Sequence, residues 1–189
     1  MRKEDMIEVK ITKEGLLIKP LREVPERLFK YGIVRSDTLF IDRLNALYII
    51  DKGILDKYIE SSHNVKFEDL ISYYRRYDKN IFSKYLIFRD LTDRGYKVVE
   101  GYSDDIDLLV YDKGDYPDKP ARIRIIGIEE GVDIPVRKIL NELNLSIINK
   151  KQLVIAVIER RGEVVYYKVD RFIGGKICDK SSNKADEIA

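Results

Sequence analysis

Three carboxylates, Asp104, Asp105 and Asp107, stand almost side by side in this chain. Grouped acids suit a hard cation such as Mg²⁺, which takes oxygen ligands and can drive phosphodiester hydrolysis. Such a site also needs carboxylates and a lysine from two neighbouring strands, and the next strand-like stretch, ARIRIIGIEEG, has no Glu-x-Lys. The acids are therefore expected to form a solvated turn, with Asp107 a buried structural acid and no metal or cofactor. The one histidine, His63, lies in the polar stretch ESSHNVKFEDL and reads as an exposed loop residue. The basic, aromatic run YYRRYD at 73–78 could stack on nucleobases. Tyr73 and Tyr74 fit a helix core equally well, and packing is preferred, because a stacking platform needs exposed rings beside a basic groove.

These residues must be carried by elements that the patterning makes visible. MIEVKITKEGLLIKP alternates apolar and polar residues on both sides of Lys-Glu-Gly, which predicts two short strands. Pro20 and Pro25 punctuate the chain after it. RLNALYIIDKGILDKYI places Leu44, Leu47, Tyr48 and Ile50 at helical spacing before a stop at Gly53, and KFEDLISYYRRYD repeats the pattern with Phe67, Leu70, Ile71 and Tyr74.

From about residue 79 a new unit is expected. NIFSKYLIFRDLTDRGY predicts an amphipathic helix ending near Gly95, followed by strands in KVVEGY, DIDLLVYD and ARIRIIGI. PVRKILNELNLSIINK adds a helix with Pro135 near its first turn, and QLVIAVIE with EVVYYKVD forms a hairpin around RRG. The expected organisation is an N-terminal α/β domain over 1–78, a C-terminal α/β domain with a mixed sheet over 79–173, and a polar, disordered tail over 174–189.

Composition narrows the setting. With 189 residues, 44% hydrophobic and 36% charged, the chain can build its own core, and a net charge of +2 means that any polyanion must be met by local patches. The lone cysteine, Cys178, rules out an internal disulfide and fits a reducing, cytoplasmic environment. No run approaches a membrane span. The abundance of Lys, Glu, Arg and Ile, with a single glutamine (Gln152) and no Trp, resembles the usage of heat-adapted proteins.

Four stretches, in order, resemble the archaeal tRNA-splicing endonuclease family: NALYIIDKG, KYLIFRDLTDRGYKVVEG, DIDLLVYDKG and KKQLVIAVIERRGEVVYY. The resemblance implies an N-terminal α/β domain and a C-terminal restriction-endonuclease-like domain. It further implies metal-independent cleavage of precursor tRNA at a bulge-helix-bulge, in which the ribose 2′-OH attacks the adjacent phosphate to leave a 2′,3′-cyclic phosphate and a 5′-OH. That reaction requires a base, an acid and a cation, which in the family are a Tyr, a His and a Lys.

Carried onto this chain, the tyrosine falls on Tyr111 and the lysine on Lys151, but the histidine falls on Ala121. A family arginine that holds a bulge base across subunits falls on Asn144. Imidazole titrates near neutrality, whereas free Tyr and Lys hold their protons to about pH 10. Acid assistance contributes roughly 10² to 10⁴ in rate.

The expected role is therefore that of a structural subunit, paired with a histidine-bearing catalytic subunit in an α2β2 tetramer acting on precursor tRNA. The interface would use the final strand, with Val164, Tyr166 and Lys168 on one face and Val165, Tyr167 and Val169 on the other, since a long apolar edge strand calls for a partner. In the family an acidic loop before this strand inserts into a neighbouring subunit. Here Arg160 and Arg161 offset Glu159 and Glu163. Tyr111 reads as a structural remnant, and Lys150 and Lys151 as a solvated charge run or a contact to RNA phosphate. Two other readings stay open: an active, self-associating endonuclease using Tyr111 and Lys151 with an acid such as Tyr116, and an RNA-binding or assembly module.

Overall fold

The computed structural model describes residues 7–56, 58, 65–103 and 105–170, so His63, Asp104, Cys178 and the tail lie outside the described residues. Strands β1 (Glu8–Thr12) and β2 (Gly15–Lys19) form the expected hairpin, with Thr12 opposite Gly15. Gly15 is required there: at φ +152° its backbone passes so close to the Ile41 carbonyl that a Cβ would collide with it.

Two further strands, β3 (Ile33–Arg35) and β4 (Thr38–Asp42), complete an antiparallel sheet in the order β1-β2-β4-β3. The sequence pattern did not reveal them. β3 is three residues long and exposed throughout, so it has no alternation to read, and the turn into β4 uses Ser36 at φ +52° rather than a glycine.

Helix α1 (Arg43–Asp51) starts where the Asp42 side chain accepts the Asn45 N–H at 3.0 Å. It is buried from Leu44 to Ile50 because it lies between the first sheet and the helices that follow. Helix α2 (Phe67–Tyr74) turns Leu70, Ile71 and Tyr74 inward. Helix α3 (Ile81–Asp93) packs on α1 and α2 and also under the second sheet. Its Tyr85 and Phe88 are among the largest fully buried side chains, each the kind whose truncation costs about 3–5 kcal/mol.

The second sheet has the order β5 (Lys97–Glu100), β6 (Asp107–Tyr111), β7 (Ile123–Glu129), β8 (Gln152–Ile158) and β9 (Val164–Val169). β7 and β8 run parallel, joined by the crossover helix α4 (Val136–Ile148), and the other pairings are antiparallel. The fold is thus α/β with a mixed sheet preceded by a smaller antiparallel one.

The period-2 rule divides the sheet cleanly. Leu108, Val110, Ile125, Ala156 and Ile158 join the main core with α3. Ile126, Leu143 and Leu153 form a small separate cluster under α4, with Val169 against it. Much of the remaining α4 surface is apolar and exposed, including Val136, Leu140, Leu145 and Ile148.

Candidate functional site

Because β6 runs antiparallel to β7 while β7 and β8 are parallel, the end of β6 and the starts of β7 and β8 fall at the same end of the sheet. Tyr111 closes β6 opposite Lys97 of β5, and Ala121 and Lys151 lie just before β7 and β8. Backbone bonds lace the three segments together: Arg122 N donates to Val110 O at 3.1 Å and Gln152 N to Arg122 O at 2.9 Å. The Lys151 ammonium donates to the carbonyl of Ala121 at 3.0 Å. Lys150 is exposed at φ +54° just past the end of α4, where the following N–H, of Lys151, donates to Ser146 O at 2.8 Å.

The half-buried ring of Tyr111 meets Tyr116 edge-on at a centroid distance of 5.0 Å, and the Lys97 ammonium lies 4.9 Å from the centre of the Tyr116 ring. Burial, with Tyr102 and Tyr116 nearby, pushes the Tyr111 hydroxyl above the ordinary tyrosine value, so it keeps its proton at neutral pH. Ala121 is only 4% exposed. The sheet end therefore offers a phenol and a cation, with a methyl group buried in backbone between their strands.

The acidic group separates on folding. Asp107 is buried, and its two oxygens accept Arg124 Nε and Nη2, each at 3.0 Å, while Oδ2 also takes the N–H groups of Tyr102 and Ser103 at 3.0 and 3.2 Å. Arg124 Nη1 reaches Glu142 of α4 at 2.7 Å, which ties the crossover helix to the sheet. Asp105 turns outward to Lys138 at 2.8 Å. In the sequence Arg124 is one charge within the strand-like stretch ARIRIIGI. Its pairing depends on register and was not visible in the sequence.

Strand β9 pairs with β8 alone, so among the described residues its other edge is open. Register places Val164 and Tyr166 toward α3, with Tyr166 donating its hydroxyl to Asp90 at 2.7 Å. Val165 and Tyr167 are exposed on the opposite face, and Lys168 pairs with Asp170 at 3.1 Å. The hairpin loop is drawn in by its own backbone, Glu159 N donating to Glu163 O at 2.8 Å with Gly162 at φ +81°, and Arg160 N donates to Glu130 at 3.1 Å. Asn144 lies on the exposed surface of α4.

Residues 81–166, from the first residue of α3 into β9, match the family model described as tRNA intron endonuclease, catalytic C-terminal domain. Over these residues the chain is similar to the tRNA intron endonuclease family. Similar proteins include the tRNA-splicing endonuclease of Pyrococcus furiosus, 29% identical over 141 residues, covering 74% of this chain and 80% of that one. That of Methanopyrus kandleri is 26% identical over 158 residues, covering 82% and 86%. Within the endonuclease match lie Tyr111, Ala121 and Lys151, together with Val164, Val165 and Tyr166 of the open edge. Two exposed tyrosines, Tyr77 and Tyr102, line a separate cleft with Arg43, Lys84 and Glu100. The first lies in the run at 73–78, whose pattern favours packing, and nothing in the sequence sets Tyr102 apart from the chain's other tyrosines.

Proposed function

We propose that this chain is a structural, assembly-type subunit of a tRNA-splicing endonuclease. The enzyme it serves removes introns from precursor tRNA at bulge-helix-bulge sites by metal-independent transesterification. The observation that carries the reading is Ala121: the position next to the Tyr111 strand has no proton donor, is buried, and lends only its carbonyl to Lys151. The 5′-oxygen leaving group has to be protonated, and Tyr111, its hydroxyl raised by burial, is too weakly acidic to do so efficiently near neutral pH.

A histidine-bearing catalytic subunit supplies that chemistry in an α2β2 tetramer, and this chain supplies the open β9 edge. Its unpaired N–H and C=O groups, flanked by exposed Val165 and Tyr167, favour strand addition by a partner. No helix among the described residues is long and apolar enough to cross a membrane, which is compatible with work in the cytoplasm.

The test is cleavage of a bulge-helix-bulge RNA in EDTA by this protein alone and after mixing with the catalytic subunit. Activity only in the mixture supports the structural role; activity of this protein alone overturns it. A second reading, an active self-associating enzyme, draws support from the Tyr111–Tyr116 contact, which would let Tyr116 serve as the acid. The same assay separates the two.

A further inference from the structure

Tyr77, just beyond α2, and Tyr102, after β5, share one cleft of about 450 Å³ between the two sheets' elements. Both rings are largely open to solvent: Tyr77 is 53% exposed and Tyr102 is 80% exposed. Their backbones, in contrast, are fixed. Tyr102 N is held by the Asp107 carboxylate, itself clamped by Arg124, and Tyr77 N donates to Tyr74 O at 3.0 Å while its ring rests edge-on against Tyr73.

The floor of the cleft is polar but self-neutralised. Buried Lys84 pairs with Asp78 at 2.8 Å, and Arg43 reaches both oxygens of Glu100 at 3.3 and 3.1 Å. Lys79 stands exposed on the rim.

Rigidly mounted rings with free faces, over a floor without net charge and with a lysine at the rim, suit a flat, uncharged ring carrying one nearby anion. A single-stranded nucleotide has that chemistry. Stacking accepts any base, and a lysine meets phosphate as a flexible point charge. A cleft of this volume is in the range that encloses a small ligand.

We infer that the Tyr77–Tyr102 cleft binds an unpaired nucleotide of a single-stranded RNA segment, its base against the tyrosine rings and its phosphate at Lys79. The inference rests on the reading of this chain as an RNA-handling subunit of the splicing endonuclease. It gives a subunit with no acid at Ala121 a direct hold on the substrate.

The experiment uses the complex reconstituted from this chain and its catalytic subunit. The probe is a fluorescent bulge-helix-bulge RNA, 2′-deoxy at the cleavage positions so that it binds without being cut. Tyr77→Ala and Tyr102→Ala are each expected to weaken binding by about 5- to 150-fold, the range for loss of one base–aromatic stack. Tyr77→Phe and Tyr102→Phe, which keep the ring, should retain wild-type binding. Lys79→Ala should lower the slope of log affinity against log salt by roughly 0.7.

Unchanged binding of the probe in Tyr77→Ala/Tyr102→Ala, with a wild-type complex that binds it and cleaves the same RNA carrying its 2′-hydroxyls, overturns the cleft and leaves the subunit reading intact. A wild-type mixture that neither binds the probe nor cleaves the RNA with its 2′-hydroxyls overturns the subunit reading, and the cleft with it. Loss of co-assembly in the double variant on size exclusion would make the cleft a protein contact and overturn the inference in a third way.

Discussion

Tyr166 and Asp90 are joined by a 2.7 Å hydrogen bond that fastens the edge strand to α3, while Tyr167, the next residue, stands 56% exposed on the other face. Adjacent tyrosines thus have opposite duties. Val165→Glu with Tyr167→Glu should break association with the partner, seen by light scattering after size exclusion, and leave the melting temperature of the isolated chain nearly unchanged. Tyr166→Phe should do the reverse: assembly persists and the fold loses about 0.5–1.5 kcal/mol.

Restoring a histidine at Ala121 should not restore catalysis. The site is 4% exposed, and forcing an imidazole into packed surroundings should cost about 1–3 kcal/mol. The expected result is a lower melting temperature and no cleavage by the variant alone. Turnover by Ala121→His would show that the loop can open to accept the ring.

Tyr111→Phe tests whether the phenol works. With its hydroxyl pushed up by burial and by the neighbouring tyrosines, Tyr111 is a poor base near neutrality. The reconstituted complex should keep its single-turnover rate within about threefold, against the roughly 10² to 10⁴ expected if a general base were lost.

Much of this architecture was legible because the pattern had somewhere to repeat. α3 and the β8–β9 hairpin announce themselves through helical spacing and alternation, and the alternating faces of β9 follow from period two alone. β3 did not, since three exposed residues carry no signal. The Asp107–Arg124–Glu142 cluster joins three elements and exists only once the register of β6 on β7 is set. The exposure of Tyr77 and Tyr102 was hidden for the same reason: in sequence they look like Tyr74 and Tyr85, which are buried.

Asp107→Asn should be among the most damaging single substitutions. It leaves Arg124 buried with half its neutralising charge and weakens the anchor for the Tyr102–Ser103 backbone. Breaking a buried pair by removing one partner costs about 3–5 kcal/mol, readable as a shifted urea midpoint at constant slope.

Lys97 gives a pH signature. Burial pushes its ammonium below the ordinary lysine value, with Asp42 partly opposing. Between the folded and unfolded pKa values the unfolded chain binds more protons, so stability rises as pH climbs through that window and is lost as pH falls back through the folded value. Lys97→Met removes the dependence. The variant should be more stable than wild type at pH 7, and its advantage should shrink on approach to pH 10.5 in parallel denaturation curves.

The family match begins at Ile81, yet the helix that starts there answers to both halves of the molecule. Phe88 meets Tyr48 and Tyr85 meets Phe67 on one side, Tyr85 reaches Asp51 of α1, and the second sheet closes over the other side. The boundary of that match therefore runs through the middle of a shared hydrophobic core. The two halves should melt in one cooperative transition. The later half alone would need a new cover for α3 before it could stand in water.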